Sequence, residues 1–341
     1  MRGERMTSAG ELALATRGLR KSYGKRAALN GLDLTVPSGV VYGFLGPNGA
    51  GKTTTMRILT GLIHPDAGDV EVLGLPFGRR DRKRLFDVGA LIESPSFYPF
   101  LSARENLRAL GAAGARTTRA RIEELLTLVG LTDRASDRVS TYSLGMKQRL
   151  GIAGTLLSDP RLLLLDEPAN GLDPAGIVAM RDTLRRLAAE GKTVFVSSHI
   201  LGEVQQLADV VGIIANGQLV REGPIEQLLT SSGVVRVRIE PSETGAAVAA
   251  IDALAGAGAT ARVDEPDGTW LNVRFAPERS AEVNRTLAAA GIYASRLETG
   301  TDLESLFLEL TAEQPAAEQR REAEPPPLPP GWGSSAAGGP R

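Results

Sequence analysis

Thr141-Tyr142-Ser143-Leu144-Gly145-Met146-Lys147-Gln148-Arg149-Leu150 stands about one helix ahead of Leu162-Leu163-Leu164-Leu165-Asp166-Glu167-Pro168. The first stretch puts Ser143 and Gly145 at the start of a helical pattern that runs to Leu157. The second is an apolar run ending in two adjacent carboxylates. Upstream lies Gly46-Pro47-Asn48-Gly49-Ala50-Gly51-Lys52-Thr53, which fits G-x-x-x-x-G-K-[ST]. A mostly apolar segment, Val40 to Leu45, leads into it, and a helical segment, Lys52 to Leu59, leaves it. Strand, glycine loop and helix in that order predict a phosphate cradle.

Each residue type suits that chemistry. Glycines let backbone N–H groups turn inward around phosphates. Lys52 has the reach for the β- and γ-phosphates, and Thr53 offers a hydroxyl to Mg²⁺. A chance match in a chain with 39 glycines is the competing explanation, and the flanking strand and helix argue against it. Asp166 is placed to hold Mg²⁺ through water, and Glu167 to accept a proton from an attacking water. Two charges merely closing a strand are the plainer reading. The apolar run before them forces the pair to a strand end near the phosphate loop.

Alternation marks Glu11 to Thr16 and Leu32 to Val36 as strands, with another over Gly68 to Leu73. Buried-type strands are expected at Val88 to Ile92, Leu162 to Leu165, Thr193 to Ser198 and Val211 to Ile214. Helices are expected at Pro174 to Ala189 and Ile200 to Ala208. Residues 93 to 155 carry helical patterns at Ala103 to Leu110, Ala120 to Val129 and Leu144 to Leu157. The prediction is therefore an α/β fold: a P-loop core over residues 11 to 230, mainly a parallel sheet, with an antiparallel β subdomain and an inserted helical subdomain over about 93 to 155.

The pattern changes near Ser232. Strands at Val235 to Ile239, Thr260 to Val263, Thr269 to Phe275 and Tyr293 to Leu297 alternate with helices at Ala246 to Ala257 and Pro277 to Ala290. That order suggests a small ferredoxin-like α+β domain over 232 to 312. It closes with a helix over Asp302 to Leu310, whose Leu303, Phe307 and Leu310 share one face. Residues 313 to 341 are rich in Pro, Gly and Glu, and disorder is expected.

The 341-residue chain is 42% apolar and 23% charged, as for an ordinary globular protein. Its net charge of −1 supplies no broad basic field, so no nucleic acid is expected as a partner. A spanning helix needs about 20 apolar residues, and the longest apolar runs here are short. Met1 to Met6 bear charges with no apolar core behind them, so no signal peptide is expected. With no cysteine, disulfides and thiolate metal sites are excluded.

On the residues quoted above, the chain resembles the ATP-binding subunits of ABC transporters. Ser143-Leu144-Gly145-Met146-Lys147-Gln148 matches the family signature, Gly171-Leu172-Asp173 the D-loop, His199 the switch histidine, and Tyr23 the aromatic platform for adenine. The resemblance implies ATP and Mg²⁺ as ligands. Catalysis falls to Glu167, His199 and Lys52. Nucleotide contacts fall to Tyr23, Gly46, Pro47, Asn48, Gly49, Ala50, Gly51, Lys52, Thr53 and Thr54. Ser143, Gly145 and Asp173 contribute from the facing protomer, and Thr53, Glu93 and Asp166 hold the metal. It also implies a second ATPase protomer, a separately encoded membrane permease and a peripheral place on the cytoplasmic face of the membrane.

Glu93 stands where the family usually has Gln. The segment Ile92-Glu93-Ser94-Pro95-Ser96-Phe97-Tyr98-Pro99 resembles exporters linked to resistance against bacitracin-like and lantibiotic peptides. Asp302 to Leu310 resembles the end of daunorubicin-resistance ATPases. Phe97, Tyr98 and Phe100 suit either a groove for a short helix of a membrane partner or simple core packing. The reading is an ATPase that powers export of an antibiotic, drug or antimicrobial peptide. The rivals are a relative acting on ribosomes or DNA, and an exporter of lipid or polysaccharide. One cassette and no long heptad stretch disfavour the ribosome or DNA relative.

Overall fold

A computed structural model describes residues 12–78, 82–114, 117–231, 234–265 and 268–299. The first residue of the expected 11 to 16 strand, the 302 to 310 helix and the 313 to 341 tail lie outside the described residues.

Two long strands open the chain, β1 (Leu12–Tyr23) and β2 (Arg26–Pro37), followed by β3 (Val41–Leu45) and α1 (Lys52–Leu59). Then come β4 (Ala67–Val72), β5 (Leu75–Pro76) and β6 (Val88–Leu91). Helices α2 (Ala103–Gly114), α3 (Arg119–Leu128) and α4 (Leu144–Thr155) occupy the stretch before β7 (Leu162–Asp166). The chain continues through α5 (Pro174–Ala189), β8 (Thr193–Ser198), α6 (Leu201–Gln205), β9 (Val210–Ala215), β10 (Gln218–Pro224) and α7 (Ile225–Ser231). It passes into β11 (Val234–Ile239), α8 (Thr244–Ala255), β12 (Thr260–Glu265), β13 (Gly268–Arg274), α9 (Ser280–Ala289) and β14 (Arg296–Thr299).

The strands form three sheets. One is antiparallel, in the order β2-β1-β4-β5. The central sheet runs β10-β9-β3-β8-β7-β6, parallel except where β10 pairs antiparallel with β9. The third runs β12-β13-β11-β14 with antiparallel pairs throughout. Four strands in that order, with α8 and α9 between them, make a ferredoxin-like arrangement.

The central strands are apolar because helices or a second sheet cover both faces. In β7, Leu163 and Leu165 enter one core, beside Leu107, Leu125, Leu150 and Leu184. Leu162 and Leu164 enter the other, beside Phe44, Met56 and Ile58. In β8, Val194 and Val196 join the first core and Phe195 the second, as a period of two requires. Phe195 stacks on Tyr42 at 5.3 Å between ring centroids. A third core unites Val235, Val237, Leu271 and Val273 of the last sheet with Ile251, Val283 and Leu287 of its helices. Leu164→Ala should open a cavity under the central sheet and cost about 2–5 kcal/mol. Urea unfolding followed by near-UV circular dichroism checks this.

Several bounds differ from expectation. β1 and β2 each run 12 residues, well beyond their short alternating segments. Their mutual pairing carries polar residues such as Arg20 and Lys21 into the ladder. Helix α6 covers five residues of the expected Ile200 to Ala208. β10 and α7 were not read from the sequence. They cover β9, with Ile225 and Leu228 in a core of their own beside Val211 and Ile213.

Candidate functional site

Strands β3, β8 and β7 are neighbours and parallel, so their C-terminal ends meet along one edge. The glycine loop leaves β3, Ser198 and His199 end β8, and Asp166 and Glu167 end β7. Ligands bind outside such strand ends in open α/β sheets.

The loop is built for close backbone approach. Gly51 has φ +112°, and a Cβ there would lie 2.6 Å from the Ala28 carbonyl, so only glycine fits. The loop closes on itself where Ala50 N–H donates to Pro47 O at 3.2 Å, while Pro47, Asn48 and Gly49 stay exposed. Helix α1 has no side-chain cap and no acidic residue in its first turn. Its N-terminal donors are thus left to an anion.

Lys52 is 6% exposed. Its Nζ donates to Gly46 O at 2.7 Å and Pro47 O at 3.3 Å, and lies 3.3 Å from Glu167 Oε1. Glu167 Oε2 lies 2.8 Å from His199 Nδ1. Both oxygens of Glu167 therefore face a cationic or switchable nitrogen. Glu167 has φ +48°, a left-handed conformation that costs a non-glycine residue about 1 kcal/mol or more. Its N–H is held by Ser197 O at 3.2 Å and Ser197 Oγ at 3.1 Å.

Asp166 is 5% exposed; Thr53 Oγ1 donates to its Oδ2 at 2.8 Å, and Ser197 Oγ donates to its Oδ1. A carboxylate beside a hydroxyl is the hard oxygen pair that Mg²⁺ takes from a protein when phosphates and water supply the rest. Among the described residues no group of three or more His, Cys, Asp or Glu could hold a metal by itself.

Glu203, in the first turn of α6, was not foreseen. Burial raises its pKa first and the Glu167 charge next, with His199 acting against both. Ser197 was also missed; two serines closing a mostly apolar strand just ahead of a histidine were its signal. Tyr23 ends β1 with its ring about half exposed and Lys21 Nζ 5.8 Å from the ring centroid. Thr54 is partly exposed on α1.

Ser143 and Gly145 stand at the start of α4, beside Gly171-Leu172. A Cβ on Gly145 would meet Leu172 at 2.9 Å, so this turn packs against Gly171-Leu172. Ser143 Oγ caps α4 by accepting from Met146 N–H at 3.2 Å. Ser143→Ala should lower the stability of this turn by about 1 kcal/mol, and Ser143→Thr should restore most of it. Hydrogen exchange at residues 144 to 147 reads both.

Glu93 and Asp173 have local partners in this chain. Glu93 is not brought to Thr53 and Asp166. It is exposed, has φ +65°, and forms an ion pair with Arg57 in the last turn of α1. An attractive cation captures the carboxylate that the metal reading needed. Asp173 is the N-cap of α5, accepting from Gly176 N–H at 2.9 Å.

The comparisons agree with this geometry. The ABC transporter family profile matches residues 29–170. The bacitracin transport ATP-binding protein BcrA of Bacillus licheniformis is 47% identical over 216 residues, covering 63% of this chain and 71% of that protein. The daunorubicin resistance ATP-binding protein DrrA3 of Streptomyces coeruleorubidus is 37% identical over 312 residues, covering 89% and 97%. A solved ATP-binding subunit of an ABC transporter shares 29% identity with a TM-score of 0.57, over 63% of this chain and 91% of that one. The chain belongs to the ABC transporter ATP-binding proteins, and the site is that of an ATPase. Among the described residues no helix is long and apolar enough to cross a membrane.

Proposed function

We propose that this chain is the ATPase subunit of an exporter that removes an antibiotic, drug or antimicrobial peptide through a separately encoded permease. The observation that carries the catalytic reading is Glu167 held between Lys52 and His199, beside the Asp166–Thr53 pair. The substrate class is supported by the names of the bacitracin transport and daunorubicin resistance relatives.

Lys52 exchanges its contacts with Gly46, Pro47 and Glu167 for the β- and γ-phosphates of ATP. The N–H groups of the loop and of α1 hold the phosphate oxygens. Tyr23 stacks on adenine. Glu167, released from Lys52, accepts a proton from the attacking water. His199 moves from Glu167 toward the transferring phosphoryl and stabilises its charge. Asp166 and Thr53 are the residues that would hold Mg²⁺, which when bound neutralises charge on the phosphates. Ser143 and the N–H of Gly145 from a second copy close the site across the dimer. ATP drives closure because the closed pair binds it more tightly than the open one. The exposed Tyr98 and Phe100, 5.9 Å apart, face the permease at the cytoplasmic side of the membrane.

A mild-detergent pull-down of tagged chain from native membranes, followed by mass spectrometry, tests this. Near-stoichiometric recovery of a multi-helix membrane protein is the expected result. Recovery of ribosomal or DNA-repair proteins without one would overturn it.

A further inference from the structure

The loop from β6 into the helices is tied down at several places. Ile92 packs against the core that holds α1. Glu93 then turns through φ +65°, which sends its carboxylate to Arg57. Two residues on, Pro95 sits against α4, where a Cβ on Gly151 would meet it at 3.1 Å. Further on, Asn106 Oδ1 accepts from Tyr98 N–H at 2.9 Å, and its Nδ2 donates to Tyr98 O at 3.1 Å. Asn106 is almost fully buried, so this tie is fixed. The Pro95 contact is steric. Only the Arg57–Glu93 tie is ionic and exposed, and so able to exchange partners.

This ion pair joins the helix that follows the phosphate loop to the segment bearing Tyr98 and Phe100. The left-handed backbone at Glu93 is what aims the carboxylate at α1. Arg57 is a suitable anchor, because a cation in a helix's last turn is favoured by the helix dipole. It also gives the extra charge of a glutamate at position 93 a nearby counter-charge.

We propose that Arg57 is a positioning residue which, through Glu93, couples the nucleotide-holding helix to the loop that presents Tyr98 and Phe100. This deepens the exporter reading and rests on it only for what Tyr98 and Phe100 touch. The tie itself belongs to the chain alone.

The test is hydrogen–deuterium exchange of the amides of residues 93 to 98 in the full chain, with and without ATP. Arg57→Glu and Glu93→Arg should each speed exchange about two- to fivefold, the range open to an exposed pair. The swapped double variant should return close to the original rate. Arg57→Gln, Glu93→Gln and their double form a second cycle without charge reversal. There the double should exchange no faster than either single. In the unaltered chain ATP should change the exchange of this loop, and the single variants should lose that change. Unaltered exchange in the singles, no recovery in the swap, or additive effects in the Gln cycle would overturn the proposal. If ATP fails to bind the unaltered chain, the ATPase reading falls instead, and the nucleotide-free cycle still decides the tie.

Discussion

Glu167→Gln should leave ATP binding intact and slow hydrolysis by about 10²–10⁴-fold, the contribution of a positioned general base. The amide keeps the size and reach of the side chain but cannot take the proton from water. It can still meet His199, which in the present geometry lies 2.8 Å from Oε2. The φ of +48° is set by the Ser197 contacts to the backbone, which the substitution does not touch. Phosphate release under single-turnover conditions, together with nucleotide binding by calorimetry, checks this. Near-normal turnover would remove Glu167 from the role of base.

Lys52→Ala should act on both binding and turnover. Its ammonium is buried at the loop and contacts Gly46 O, Pro47 O and Glu167. Loss of a charge-assisted contact to the phosphates should weaken ATP binding by about ten- to a hundredfold. Loss of charge stabilisation on the transferring phosphoryl should cost a further ~10²–10³ in turnover. A titration with a non-hydrolysable ATP analogue separates the first effect from the second. If affinity is unchanged, the lysine does not exchange its loop contacts for phosphate.

The parts of the fold that were legible are those where local pattern and tertiary environment agree. Lys52–Leu59, Pro174–Ala189 and Thr193–Ser198 have the bounds their sequence gave reason to expect. The glycine loop is flanked by unambiguous apolar runs, and Pro174 with Asp173 ahead of it starts a helix by its own chemistry. The polar halves of β1 and β2 pair with each other across a tight turn, Tyr23 opposite Arg26, yet they were illegible because no apolar alternation marks them. Gly18 and Gly31 there adopt positive φ, and shifts of register break the alternation.

The site shows the same division. Lys52, Asp166, Glu167 and His199 sit at strand ends or loop turns whose positions the apolar runs dictate. Glu93 and Asp173 could be located along the chain, but their side-chain partners could not be read. Arg57 lies 36 positions before Glu93 and belongs to no motif, so nothing in the spacing linked them. For Asp173, N-capping competes with any longer-range role, and capping is the contact within reach.

The most direct test of the account is sedimentation velocity of the Glu167→Gln chain with and without ATP and Mg²⁺. Two copies closing over ATP predict a monomer without nucleotide, a dimer with it, and loss of that dimer when Ser143 is also replaced by Arg. A chain that binds ATP yet sediments as a monomer throughout would contradict the shared site.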